Sequence, residues 1–88
     1  MSVPVHLSSH LHSYTSGRSD VEADGGTLSE LMADLDRRYP GLRFRVIDEQ
    51  DRIRPHINFF VRGILVRDLT SAVGPGEEVL ILGALSGG

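Results

Sequence analysis

Eighty-eight residues with 40% apolar and 24% charged side chains make one globular domain, neither a disordered chain nor a membrane-spanning one. A domain of this size buries only about 60–65% of the surface its unfolded chain exposes, which leaves no room for a deep catalytic cleft beside a cofactor domain. The lack of cysteine excludes disulfides, thiolate metal sites and cysteine nucleophiles, and a net charge of −3 speaks against a nucleic-acid partner and for a basic protein surface.

The start, Met1-Ser2-Val3-Pro4-Val5-His6, has neither a basic n-region nor an apolar h-region. No stretch approaches membrane-spanning length, so the expected location is the cytoplasm. Val3, Val5 and Leu7 alternate with Pro4, His6 and Ser8, the period-two signature of a half-buried strand. Beyond Leu7 two readings stand. Leu11 and Tyr14, three apart, suit a single helical turn, whereas Leu7, Ser9 and Leu11 would prolong the strand. Thr15-Ser16-Gly17-Arg18 reads as a turn, Ser19–Ala23 as a weaker second strand, and Asp24-Gly25-Gly26 as a second turn.

Thr27-Leu28-Ser29-Glu30 is a capping box, with Thr27 over the first free amides and Glu30 reaching back to the Thr27 amide. Leu28, Leu31, Met32, Leu35 and Tyr39 then form one apolar helical stripe, which Pro40-Gly41 stops. Asp34, Asp36, Arg37 and Arg38 fall on the other face and read as solvated. Leu42–Ile47 predicts an irregular connector or short strand, and Asp48-Glu49-Gln50-Asp51 a polar turn. Ile53, Pro55, Ile57, Phe59 and Val61 alternate with Arg54, His56, Asn58, Phe60 and Arg62, a strand with one aromatic on its otherwise polar face. Gly63 turns the chain into a short Ile64–Val66 strand. Asp68–Val73 is a brief helical or irregular crossover, and Gly74-Pro75-Gly76-Glu77 a tight turn into a last strand, Val79–Leu82. One helix lying across one face of a mixed sheet of four to five strands makes this an α+β domain over 1–82, with a flexible diglycine tail over 83–88.

The tail is the stretch with chemical content. Gly83-Ala84-Leu85-Ser86-Gly87-Gly88 carries no charged side chain and ends on a carboxylate. Residues without Cβ can thread a narrow channel and set a backbone carboxylate beside an enzyme's reactive atoms.

The chain resembles the MoaD/ThiS family of ubiquitin-like, β-grasp sulfur carriers. The resemblance is carried by Leu11-His12-Ser13-Tyr14-Thr15, by Gly26-Thr27-Leu28-Ser29-Glu30-Leu31 and by Arg38-Tyr39-Pro40-Gly41-Leu42. Arg54 to Gly63, Pro75 to Leu82 and the terminal Gly87-Gly88 complete it, so that it runs over nearly the whole length. It implies a β-grasp fold and a carrier that is not an enzyme by itself. The Gly88 carboxylate, next to Gly87, would be adenylated by an ATP-dependent, ubiquitin-activating-type adenylyltransferase. A persulfide sulfur would then displace AMP and leave a thiocarboxylate. The carrier would hold no permanent cofactor; the ATP belongs to the activating enzyme. An α-carboxyl with a pKa of about 3.5 is ionised at neutral pH and resists nucleophiles, which is why activation is needed.

The resemblance implies molybdopterin synthesis as the main destination of the sulfur, with this chain as small subunit beside a molybdopterin synthase large subunit. Cysteine, thiamine or another metabolite is the alternative, as is conjugation to proteins through Gly88. Family tails often carry proline within the stretch occupied here by Gly83-Ala84, and the segment between Val66 and Gly74 is short.

Phe60, Arg62, Leu80 and Leu82, with Ala84, Leu85 and Ser86 of the tail, are the expected partner-binding residues, because aromatic and arginine side chains on an open sheet face suit an interface anchor. His6, His10 and His12 would share a face on an extended strand and scatter if residues 8–14 turn, so no metal site is expected. Arg52, Arg54 and Arg62 lie among acids, which favours protein docking or plain solvation over nucleic acid.

Overall fold

A computed structural model of the chain describes residues 2–83. Five strands form one sheet in the order β2-β1-β5-β3-β4, with β1 at Val3–Leu7, β2 at Asp20–Ala23, β3 at Ile57–Val61, β4 at Ile64–Val66 and β5 at Val79–Gly83. β5 is central, parallel to β1 and antiparallel to β3. The period-two burial expected for β1 and β3 is what they show, and β5 alternates in the same way as far as Leu82.

Helix α1, Leu28–Arg38, starts where expected. Thr27 Oγ1 accepts from the Glu30 amide at 3.2 Å. The Glu30 carboxylate, however, accepts from the Gly26 amide at 2.9 Å, one residue before the expected partner. Leu28, Leu31, Met32 and Leu35 are fully buried against Val5, Leu7, Phe59 and Ile81 of the sheet. Each such side chain contributes roughly 1.5–3 kcal/mol. Tyr39 is half-buried and caps the helix end, its amide bonded to Leu35 O.

On the other face of α1, Arg37 and Arg38 are exposed as expected, but Asp34 departs from the solvated reading. Asp34 is only 8% exposed and accepts from the Asp24 backbone amide at 2.8 Å, from Arg38 Nε at 2.8 Å and from Arg37. It ties the end of the β2 turn to the helix. Asp34→Ala strands that amide and is expected to lower stability by about 2 kcal/mol. Arg37→Ala, which removes an exposed partner, should cost less than about 1 kcal/mol. Denaturant titration of the two variants reads the difference.

Leu42–Val46 is a second helix, α2, in place of the expected connector or strand. Asp36 Oδ1 makes it possible, accepting from the amides of Gly41 at 3.0 Å and Arg43 at 3.2 Å and so capping α2 from the preceding helix. Gly41 takes φ of 96°, which lets the chain reverse there. Leu42 and Val46, four apart, are both buried.

The strand expected over Ile53–Val61 is realised only from Ile57. Ile53 makes an isolated bridge to Ile47, and Pro55-His56 form a turn closed by Ile57 N to Arg54 O at 2.9 Å. Pro55 has no amide for a ladder, and Arg67 gathers the freed carbonyls, donating to Ile57 O at 2.6 Å and Arg54 O at 3.4 Å. Arg62 and Gly63, with φ of 54° and 79°, form the two-residue hairpin that joins β3 to β4. The crossover after β4 is irregular, with Thr27 bridged to Ala72. β5 runs one residue beyond the expected domain boundary, to Gly83.

Candidate functional site

Strand pairing places directly opposed residues on the same face of the sheet. With α1 over one face, the other carries a register row across all five strands: Asp20, His6, Leu80, Phe60 and Leu65. Its apolar half is contiguous. Phe60 lies between Leu80 and Leu65, and Leu82 follows in the next row opposite Asn58. Phe59 is fully buried while Phe60 is half-buried, as the alternation requires. Phe60 is therefore neither swallowed by the β4 hairpin nor free of it. Its partner Leu65 is 52% exposed.

The polar groups frame this row. His6 Nδ1 donates to Asp20 Oδ1 at 2.9 Å. That bond, with a second from Ser19, holds the Asp20 carboxyl below the usual carboxylate range. Asn58 Oδ1 accepts from Arg67 at 2.9 Å. Arg62 stands at the hairpin tip and pairs with Glu77 at 3.4 Å, so it borders the row without lying in it. Arg52 pairs with Asp48, and Arg54 sits 4.7 Å above the Phe44 ring, so each of the three arginines has a partner within the domain.

The alignment of histidines that an extended strand would give is broken by a 3-10 helix over Ser9–Tyr14. His6 goes to Asp20, His12 Nε2 donates to Leu7 O at 2.9 Å, and His10 packs beside Gly83. Among the described residues no cluster of three histidines and carboxylates could hold a metal ion. No helix among them is long and apolar enough to cross a membrane.

Of the expected site residues, Phe60, Leu80 and Leu82 come together, with Arg62 at the border. Ala84, Leu85, Ser86, Gly87 and Gly88 lie outside the described residues. Leu65 was missed, although a two-residue turn at Arg62-Gly63 makes residue 65 the partner of residue 60 by counting alone. Ser8 and His10, at the root of the tail, had no local signal.

A five-stranded β-grasp sheet with an open apolar row, whose central strand leads into a diglycine segment, defines a ubiquitin-like carrier class. The comparisons agree. The chain matches the ThiS family over residues 5–88 and belongs to the MoaD/ThiS family of ubiquitin-like sulfur carriers. It is 33% identical over 93 residues to the sulfur carrier protein CysO of Mycobacterium tuberculosis, covering 100% of both chains. Among solved structures it is similar to a chain of the Amycolatopsis orientalis BexX/CysO complex, with 32% identity, a TM-score of 0.90 and coverage of 98% and 99%. It is also similar to SAMP1 from Haloferax volcanii, with 25% identity, a TM-score of 0.84 and coverage of 100% of both.

Proposed function

We propose that this chain is a sulfur carrier whose Gly88 carboxylate is adenylated by a ubiquitin-activating-type enzyme and converted to a thiocarboxylate. The end-to-end similarity to a protein named as a sulfur carrier, diglycine segment included, carries this reading. The division of labour follows from the residues. The open row of Leu80, Phe60 and Leu65 docks the carrier, Arg62 and Leu82 flank it, and Ala84 to Gly88 deliver the carboxylate. The carboxylate attacks ATP at its α-phosphorus with loss of pyrophosphate. A persulfide sulfur displaces AMP from the acyl-adenylate to give an acyl disulfide, and a thiol of the partner enzyme then attacks its S–S bond, releasing the thiocarboxylate and forming an enzyme disulfide. The ATP and the sulfur source belong to partner enzymes, and the carrier supplies reach and recognition.

The destination of the sulfur is better read from the CysO relatives than from molybdopterin synthases. Similarity to CysO chains favours cysteine or another small metabolite as acceptor, in place of the molybdopterin destination that the family resemblance first suggests. A likeness to a molybdopterin converting factor subunit from Pyrococcus furiosus, at 17% identity, speaks for the fold alone. Conjugation to proteins is the second reading, favoured by the similarity to a small archaeal modifier protein.

Intact-mass measurement after incubation with the activating enzyme, ATP and a sulfur source tests the proposal. The expected product has one oxygen of the Gly88 carboxylate exchanged for sulfur. An unchanged mass sinks the carrier reading, and lysine conjugates in extract without any thiocarboxylate would establish the modifier instead.

A further inference from the structure

We infer that Ser8 and His10 are positioning residues that latch the root of the tail and fix where it leaves the sheet. This rests on the sulfur-carrier reading and adds residues to its machinery. Ser8 is the residue before the 3-10 helix Ser9–Tyr14, where a serine hydroxyl ordinarily caps the first free amides. Here it caps nothing in its own helix. Its Oγ instead accepts from the Gly83 amide at 2.9 Å, across 75 residues of sequence. The Ser8 amide donates to Ile81 O at 3.1 Å, so one residue holds β5 at two points just as β1 runs out.

His10 closes the other side. A Cβ on Gly83 would stand 3.2 Å from His10 Nδ1 and 3.2 Å from Ile57 Cδ1, tighter than a side chain normally tolerates. Gly83 thus lies between an imidazole and an aliphatic side chain with no space left over. Among the described residues His10 Nε2 is buried without a hydrogen-bond partner, and Nδ1 is a distant 3.5 Å from Ser8 Oγ. An unpaired buried nitrogen is destabilising. The ring is therefore kept in place by packing against the tail root, against its own hydrogen-bonding preference, which is the kind of local cost proteins carry at functional positions.

Five residues follow Gly83, and five residues span at most about 17 Å. With so short a reach, the direction set at Gly83 decides which points the carboxylate can visit. A docked carrier with a loose root would present its carboxylate to the active site for a smaller fraction of the time. The loss should appear in kcat and leave the KM for the carrier alone, because the docking row is untouched.

The test compares the parent chain with Ser8→Ala and Ser8→Thr in ATP–pyrophosphate exchange by the activating enzyme. Hydrogen exchange of the Gly83 amide and thermal melting are measured on the same samples. Ser8→Ala is expected to lower kcat about fivefold at constant KM and to speed Gly83 amide exchange by a similar factor, the population change that one hydrogen bond of ordinary net strength controls. Ser8→Thr keeps the acceptor and should restore both. Gly83→Ala presses on the His10 ring from the tail side and should show the same kcat loss if Ser8→Ala does not fold. Unchanged kcat with faster amide exchange, or a change in KM alone, overturns the positioning role. A parent chain that supports no exchange at all overturns the carrier reading instead, and the Gly83 amide then still decides whether the latch exists.

Discussion

Gly87→Val is expected to abolish adenylation, with a loss of more than about 100-fold in turnover, while the domain melts as before. The reason is steric. A branched Cβ widens the chain beside the reacting carboxylate, and any channel that aligns that carboxylate with ATP must be built to the width of two glycines. Among the described residues the packed core runs from Val3 to Ile81, well short of the two glycines in sequence. Deleting Gly88 should have the same effect by withdrawing the carboxylate by one residue. Normal adenylation of Gly87→Val, measured by pyrophosphate exchange, would remove the diglycine from the mechanism.

Phe60→Ala is expected to weaken binding to the activating enzyme by about 2 kcal/mol, roughly a 30-fold rise in Kd. Its neighbour provides the control. Phe59 is fully buried in the core, and Phe59→Ala should cost about 3–5 kcal/mol of stability. Phe60 is half-buried between Leu80 and Leu65, so its loss should cost less. Calorimetric melting and titration with the activating enzyme separate the two effects. If Phe60→Ala melts the domain as Phe59→Ala does, and the folded remainder binds normally, the open row is not the docking surface.

The contrast between these two phenylalanines was legible in the sequence because a strand's period of two is rigid. The same holds for the α1 stripe and its Thr27 cap, since each depends on neighbours within a turn or two. What sequence reasoning misread depends on groups brought from elsewhere. The α2 helix is capped by Asp36, a residue of the previous helix, so nothing in Leu42–Val46 announces its start beyond two apolar residues four apart. Asp34 looked solvated because its main partner is the amide of Asp24, which the turn returns to it. The strand over Ile53–Val61 looked continuous because the alternation passes through Pro55. The missing amide and the Arg67 guanidinium that collects the carbonyls end it early. The pairing of Phe60 with Leu65 required only counting, whereas the meeting of Ser8 with Gly83 required the parallel pairing of the first and last strands.

The strand order makes the whole sheet depend on its last strand. β1 pairs with β2, and β3 with β4, but the two pairs never touch each other's ladders; each is bonded to β5. Each pair closes its own ladder without the other, and only β5 makes them one sheet. Without that strand the row Leu80, Phe60, Leu65 lacks its first member, and the faces beside it belong to separate halves. β5 is the strand that joins them, so the row proposed for docking is complete only once Val79–Gly83 is in place. On the proposed reading, the docking surface and the root of the tail are completed by one and the same strand.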